Sequence, residues 1–432
     1  MGVFGLLTLA LVGLIVIGFP VGFAAGVISA FGLAEVHGSL ADPRVASALA
    51  RTMLDRIDGF LLLSVPFFLL AGRLMNGAGI TVRLFDFVSA VTRPLRGGLA
   101  HANVLASVLF AGMSGSATAD AMGLGTIELK AMAHAGYRRD FAVGITGASS
   151  LLSPIIPPSI ALVAYAVVAE QSVGAMFLAA IVPGILLALC YMLYVAWRLR
   201  FETDVPPAGR FDPCEVWRSF RGAVLPILMP AIIVGGINLG IFTPTEAAAV
   251  AVFYAGAIGM IVFRELSLAQ LIADLRGAMI DSAAIMLIIA FTSAFGQVLI
   301  RAQLPDQLAA LATTLTSDPT LFLLLMILLW LVVGCFMAQT PAILILTPIL
   351  LPVAEQYAID PIHFGMVMAL TLTLGLLTPP VGMVLYALVK VSGVPFERLV
   401  VISFPYVVIT ALVSVTLVLV PDLVLALPRL AR

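Results

Sequence analysis

A short polar stretch, GMSGSATADA at residues 112–121, interrupts a chain that is otherwise mostly apolar. It offers three hydroxyls and one carboxylate, from Ser114, Ser116, Thr118 and Asp120. Gly115 lets the backbone turn its carbonyls toward the same point. Hard oxygen ligands around one negative charge suit a small cation such as sodium. The stretch therefore predicts a cation site to which Ser114, Ser116 and Asp120 contribute.

Two apolar segments that are broken by proline offer more oxygen atoms. Ser153 and Pro154 lie in LLSPIIPP, and Thr378 and Pro379 lie in LLTPPVGM. A broken helix leaves carbonyl and amide groups free, where they can meet cations or a substrate carboxylate. A simple proline kink is the alternative for either segment alone. Their matched positions in the chain favour paired binding sites.

The composition is that of a membrane protein with many spans. Of the 432 residues, 62% are hydrophobic and 10% are charged, and the net charge is −1. The mean hydropathy is +1.16. Since roughly 20 apolar residues cross a bilayer, the chain is long enough for about ten crossings. The low net charge argues against a nucleic-acid partner, and the apolar segment 3–18 is predicted to be a retained helix instead of a cleaved signal.

A faint internal duplication relates the two halves of the chain at an offset of about 224 positions. Four matched sites keep their order: Pro20 with Pro244, Gly72 with Gly296, Gly112 with Gly334, and Ser153–Pro154 with Thr378–Pro379. Matches that hold order and spacing are stronger than any single one, and repeats of this kind build many secondary transporters. We therefore predict two structurally equivalent halves.

Each half is predicted to hold five crossings, an amphipathic arm and one re-entrant hairpin, because short apolar arms beside a polar tip do not span a bilayer. The first repeat covers 1–197, with an arm at 43–56, a helix at 58–76, hairpin one at about 99–131 and a broken crossing at 140–169. The second repeat covers 222–420, with an arm at 267–278, a helix at 279–300, hairpin two at about 320–355 and a broken crossing at 363–389. A cytoplasmic linker at 198–221 joins the repeats, and a tail at 421–432 follows them.

With five crossings per half, the second half enters the membrane from the opposite face, so the duplication is predicted to be inverted. Placing the amino terminus on the periplasmic side puts 16 of the 22 arginines and lysines on the cytoplasmic side. This distribution agrees with the positive-inside rule. Hairpin one then opens to the cytoplasm, and hairpin two opens to the outside.

Other interpretations of the polar stretch are weaker. Small and hydroxyl residues also let helices pack closely, but a carboxylate inside a membrane is costly and points to function, so close packing does not explain Asp120. GMSG also fits the G-x-S-G pattern, with Ser114 as the nucleophile of an intramembrane serine protease. None of the four histidines has a predicted place beside it. The phosphate-binding loop of an ATP-driven pump is missing from the sequence.

Five stretches resemble the large membrane subunit of the tripartite ATP-independent periplasmic (TRAP) transporters: GMSGSATADAMGLG, LLSPIIPPSIALVAYA, GIFTPTEAAAVAVFYA, LILTPILLPVA and LGLLTPPVGMVLYAL. The resemblance covers essentially the whole chain. It implies a multi-pass permease of a bacterial or archaeal cytoplasmic membrane that works with a small four-helix membrane subunit and a periplasmic substrate-binding protein. It also implies sodium-driven uptake of organic acids by an elevator motion, with no enzymatic activity and no cofactor besides the coupling ions.

The resemblance further implies two sodium sites. The first would use Ser114, Gly115, Ser116, Asp120, Ser153 and Pro154, and the second would use Gly334, Met337, Thr340, Thr378 and Pro379. Many relatives carry an acidic residue where this chain has Ala338, which is followed by Gln339. The second site would therefore lack a formal counter-charge.

The substrate stays open among dicarboxylates, sialic acids, sugar acids and keto acids, since a separate binding protein does most of the selection in such systems. A stand-alone sodium/dicarboxylate symporter, whose fold looks similar, is the alternative within transporters.

Overall fold

The computed structural model describes residues 19–201 and 205–431, together with Leu7, Ala10, Leu11, Gly13, Leu14 and Ile17. Every regular element among these described residues is helical. The predicted all-helical class is therefore confirmed. The helix predicted at 3–18 lies mostly outside the described residues.

Ten described α-helices form the first half. They are α1 (Val21–His37), α2 (Pro43–Ile57), α3 (Ser64–Gly77), α4 (Ile80–Thr92), α5 (Gly98–Ser114), α6 (Ala117–Met122), α7 (Leu124–His134), α8 (Arg139–Ser150), α9 (Ile160–Val168) and α10 (Val173–Arg198). The arm predicted at 43–56 corresponds to α2, which begins where Asp42 accepts a hydrogen bond from the Arg44 backbone N–H at 2.8 Å. Such a cap satisfies one of the free amides at a helix start.

Ten more described α-helices form the second half. They are α11 (Pro213–Asn238), α12 (Pro244–Ala257), α13 (Leu268–Arg301), α14 (Leu304–Leu315), α15 (Pro319–Phe336), α16 (Gln339–Gln356), α17 (Pro361–Gly375), α18 (Met383–Ser392), α19 (Phe396–Leu419) and α20 (Asp422–Leu430). Ile258–Val262 continues α12 as one turn of π-helix. The start of α12 is fixed by a reciprocal capping box between Thr243 and Glu246.

Six described helices are long and apolar enough to cross a membrane: α10, α11, α12 with its π-helical turn, α13, α15 and α19. The bent pair α3 and α4, whose axes differ by 69°, adds a seventh span. The two predicted broken crossings are each built from shorter helices, α8 with α9 and α17 with α18. Each half contains a hairpin, then a broken crossing, then a long apolar helix, which is α10 in the first half and α19 in the second.

The structure differs from the predicted elements at three places. The arm at 267–278 and the helix at 279–300 form the single helix α13, because Gly277 alone does not break a helix that lacks proline. The helix predicted from 58 becomes α-helical at Ser64, after a 3₁₀ turn over Phe60–Leu63. The region after it, for which no element is predicted, contains α4, an amphipathic helix with one buried apolar face.

Helices of one half pack against helices of the other. α3 of the first half lies against α12 of the second. In the same way, α13 of the second half lies against α1 of the first. α3 and α13 also touch each other, and α9 of the first broken crossing packs along α16 of the second hairpin. Residues of both halves therefore share one large hydrophobic core.

Candidate functional site

The first hairpin tip is a tight turn between α5 and the short helix α6. Gly115 holds the left-handed conformation with φ of 61°, which a side chain would disfavour. Ser116 caps α6 by accepting a hydrogen bond from the Ala119 backbone N–H at 3.5 Å. Ser114 Oγ donates to the Ser116 carbonyl at 3.2 Å, and the Ser116 and Thr118 hydroxyls lie 3.2 Å apart. The predicted polar stretch thus gathers its oxygen atoms at one turn.

Asp120 lies behind this tip in the protein interior, with only 1% of its surface exposed. Its Oδ2 accepts a hydrogen bond from Ser153 Oγ at 2.8 Å. Its Oδ1 has no hydrogen-bond partner among the described residues. A buried carboxylate oxygen without a partner is costly, and either a proton or a bound cation would lower that cost.

The first broken crossing reaches the same region. Between α8 and α9 the chain turns through SPIIPP, and Ser159 caps α9. Ser159 Oγ also donates to the Pro154 carbonyl at 2.6 Å. The break therefore places Ser153 beside Asp120, and the hydrogen bond from Ser159 to the Pro154 carbonyl fixes the backbone of the break.

The second hairpin tip joins α15 to α16 through Met337 and Ala338, both with extended backbones. Gln339 is buried, and its Nε2 donates to the Ala369 carbonyl at 2.9 Å. Thr378 Oγ1 donates to the Leu374 carbonyl of its own broken crossing at 2.9 Å. The second tip thus has neutral oxygen atoms and the amide of Gln339, whereas the first tip has the carboxylate of Asp120 nearby.

Hairpin two is locked to the second broken crossing by close backbone contact. A Cβ built on Gly334 would lie 2.8 Å from the Leu372 carbonyl oxygen, and one built on Gly375 would overlap the Gly334 backbone. The Val381 N–H donates to the Cys335 carbonyl at 3.3 Å. Gly334 therefore has a packing role in addition to any ligand role.

Both hairpin tips border one cavity of about 560 Å³. Its walls include Gly115, Ser116 and Thr118 from the first tip, Ala338, Gln339 and Thr340 from the second, Pro154 and Leu376 from the broken crossings, and Asp281 from α13. A neighbouring cavity of about 460 Å³ shares Leu69, Ser116, Ile160 and Asp281 and adds Arg73, Asn76 and Ser114. The two cavities meet at the first tip.

The predicted ligands fall into two groups around these cavities. Those that line a cavity are Ser114, Gly115, Ser116, Pro154 and Thr340. Asp120 and Ser153 are buried behind the first tip. The remaining ones, Gly334, Met337, Thr378 and Pro379, are not among the described residues that line either cavity. The first site is therefore gathered more tightly around one point than the second.

Three charged residues near the site were missed in the sequence. Arg73 and Asp281 form an ion pair at the cavity wall, and Glu128 is 1% exposed on α7, with Oε1 unpartnered among the described residues. An arginine within the apolar run FFLLAGRLM and a second carboxylate in the hairpin arm were the available signals, because ionisable groups at membrane depth point to function.

The described histidines do not complete a serine protease. His101 lies on α5 with Ser114 but about 20 Å away along the axis, at roughly 1.5 Å per residue. His134 and His363 bond to the carbonyls of Lys130 and Leu417. None of these three histidines is placed to act as a general base for Ser114.

Known transporter subunits are similar to this chain over most of its length. Residues 8–423 match the family described as "Tripartite ATP-independent periplasmic transporter, DctM component". The chain is 42% identical over 420 residues to the sialic acid TRAP transporter large permease protein SiaM of Vibrio cholerae, covering 97% of this chain and 96% of that protein. It is 38% identical over 392 residues to the C4-dicarboxylate TRAP transporter large permease protein DctM of Pseudomonas aeruginosa, covering 90% and 91%.

A solved structure shares the fold. The YdaH transporter of Alcanivorax borkumensis superposes with a TM-score of 0.66 at 15% identity, covering 88% of this chain and 89% of that one. The family match decides against the protease and against the stand-alone symporter, because the family is tripartite. Its large permease subunits work with a small membrane subunit and a periplasmic substrate-binding protein. The chain belongs to the DctM family of TRAP transporters, as a large multi-pass membrane subunit that transports and is not an enzyme.

Proposed function

We propose that this subunit carries organic acids across a bacterial or archaeal cytoplasmic membrane together with sodium ions. The observation that carries the proposal is the meeting of both hairpin tips at one cavity, with the buried Asp120–Ser153 pair directly behind the first tip. Relatives named for sialic acid, C4-dicarboxylate and 2,3-diketo-L-gulonate support an acidic substrate. All three acids are carboxylates, so a single positively charged site is suited to binding each of them.

The first sodium ion is proposed to bind at the first tip. Asp120 Oδ1 supplies the compensating charge, and Ser114, Ser116 and the carbonyls around Gly115 and Pro154 supply neutral oxygen atoms. Partial burial strengthens each of these interactions, because the effective dielectric constant is lower than in water. A cation that neutralises Asp120 also removes the main electrostatic obstacle to burying that carboxylate.

The second sodium ion is proposed to bind near the second tip, among Met337, Thr340, Thr378 and Pro379. Since the Gln339 amide nitrogen is committed to the Ala369 carbonyl, its Oε1 is left to act as a further neutral ligand. With Ala338 in place of a carboxylate, this ion would lack a formal counter-charge. We therefore expect the second site to bind sodium more weakly than the first.

Transport is proposed to follow an elevator motion. The hairpins and broken crossings would move as one unit past the remaining helices, with α2 and the start of α13 as amphipathic arms. The contacts that hold hairpin two to α17 and α18 support movement as one unit, because they are backbone to backbone. The contact of α2 with α13 places the two arm segments on neighbouring helices.

Asp120→Asn tests the sodium proposal. We expect the variant to lose sodium-driven uptake over the practical concentration range, because removing one partner from a buried charge pairing costs about 3–5 kcal/mol and each 1.4 kcal/mol or so is a factor of ten. The measurement is initial uptake of organic acid into proteoliposomes that contain both membrane subunits, at fixed binding protein, as external sodium is varied.

Asp422→Asn is the matched control, because Asp422 is an exposed carboxylate paired with Arg429 at 2.9 Å, far along the chain from both tips. It should keep the wild-type sodium curve. Monodisperse purification establishes that each variant folds. A folded Asp120→Asn transporter with an unchanged sodium curve would show that the carboxylate is structural and that the proposed first site is wrong.

A further inference from the structure

An ion pair between the two halves forms part of the wall of both cavities. Arg73 on α3 donates through Nη2 to Asp281 Oδ2 on α13. Arg73 lines the smaller cavity, and Asp281 lines both. The two side chains are 39% and 43% exposed, so the pair faces open space.

Helix α13 provides a fitted surface for the guanidinium. A Cβ built on Gly277 would lie 2.8 Å from Arg73 Cζ, so a side chain at 277 would displace the group. Gly277 and Asp281 are four residues apart and therefore lie on the same helix face. The glycine makes room for the guanidinium, and the carboxylate one turn later holds it.

The pair dominates the charge of the space beside the hairpin tips. Among the described residues that line either cavity, Arg73 is the one cation and Asp281 is the one anion. A guanidinium binds a carboxylate through two parallel N–H groups, a geometry that a point charge lacks. Asn76 lies one turn after Arg73 and lines the same cavity, with its Oδ1 engaged by the Thr81 hydroxyl at 3.2 Å. This leaves its amide N–H groups as further donors.

We propose that Arg73 binds the carboxylate of the transported organic acid on entry, and that Asp281 occupies this position on the guanidinium until the acid displaces it. The acid leaves Arg73, which lies on the stationary helix α3, when the hairpins and broken crossings move. The inference rests on the proposed function, since it requires an acidic substrate. A half-exposed ion pair is held weakly, so an incoming carboxylate can replace Asp281 at little cost, and the released Asp281 turns toward water. Arg73 and Asp281 thereby determine specificity for acids.

The test is binding of free acid to the purified complex of both membrane subunits in sodium chloride, without the binding protein, which would mask the membrane site. The probes are sialic acid, succinate and 2,3-diketo-L-gulonate, and the readout is the acid concentration that gives half-maximal thermal stabilisation. For Arg73→Gln we expect this concentration to rise at least tenfold. For Asp281→Asn we expect it to fall about threefold, because the competing carboxylate is gone.

The opposite signs separate substrate binding from a structural role. If the pair only held α3 against α13, both single variants would shift stability and acid binding in the same direction. The double variant should behave like Arg73→Gln alone, since without the guanidinium the removal of Asp281 changes nothing. If Arg73→Gln does not purify, Arg73→Lys replaces it, because lysine keeps the positive charge of the ion pair. Arg73→Lys should weaken acid binding several-fold, because lysine lacks the bidentate geometry of a guanidinium.

Arg83→Gln is the matched control. It breaks the Arg83–Glu265 ion pair of 2.5 Å, which also joins the two halves but lies outside both cavities. It should leave acid binding unchanged. Unchanged acid binding in Arg73→Gln or Arg73→Lys, weakened binding in Asp281→Asn, or no stabilisation of the wild type by any of the three acids would overturn the inference. Sodium-dependent stabilisation without acid is recorded in the same series, so that failure of the proposed sodium coupling is seen separately.

Discussion

Asp120 and Ser153 lie 33 residues apart on different elements and meet behind the first hairpin tip at 2.8 Å. Ser153 satisfies one carboxylate oxygen, and the other accepts no hydrogen bond from the described residues. A reversible cation site requires a carboxylate oxygen that is not already hydrogen-bonded to the protein, because such an oxygen can still gain an interaction when an ion binds. In the proposed first sodium site, the hydroxyl of Ser153 would position the carboxylate and leave Oδ1 for the ion.

Ser153→Ala should raise the sodium concentration for half-maximal uptake about tenfold or more. A hydrogen bond to a charged group contributes about 1.5–3 kcal/mol, and its loss leaves Asp120 free to turn away from the tip. Uptake into proteoliposomes against external sodium measures the shift. Ser414→Ala is the control, because Ser414 is an equally buried serine whose hydroxyl bonds to the Thr410 carbonyl of its own helix at 3.1 Å. Equal sodium requirements in the two variants would contradict the positioning role.

At the scale of elements, hairpin two and the second broken crossing are joined where Gly334 meets Gly375. We expect Gly375→Ala to lower the free energy of unfolding by about 1–3 kcal/mol, because the new methyl group overlaps the Gly334 backbone and one helix must shift. Gly235→Ala is a matched control on α11, where a Cβ would meet open space, and it should be neutral or stabilising by up to about 1 kcal/mol. Chemical or thermal unfolding of the purified complex compares them. Equal stability of the two variants would show that the hairpin is free of the crossing.

The elements were predictable from sequence where breakers and polar residues mark them. SPIIPP and TPP locate the broken crossings because proline removes an N–H and clashes with the preceding turn. No helix is predicted at α4, although its buried apolar residues recur with the period of a helix. The ion pair of Arg73 and Asp281 could not be predicted, because its residues are 208 positions apart and meet only through packing between the halves.

For the whole molecule, the orientation of the halves stays a prediction with a direct test. Leu95 before hairpin one and Ser317 before hairpin two are exposed. In a background with Cys190, Cys214 and Cys335 replaced by serine, Ser317→Cys should react with a membrane-impermeant thiol reagent on intact spheroplasts, and Leu95→Cys should react only after lysis. This follows from the distribution of arginine and lysine. Labelling of both positions from one side would overturn the inverted duplication.

The packing of α3 against helices of the other half also sets an order of events during synthesis. Ribosomes add about 5–20 residues per second, so the 208 positions between Arg73 and Asp281 correspond to about 10–40 seconds. During that interval α3 has already left the ribosome while Asp281 has not yet been made. Water or lipid headgroups must solvate the Arg73 guanidinium meanwhile, which keeps that end of α3 near the membrane surface. We therefore expect α3 to reach its final depth only after the second half has been inserted.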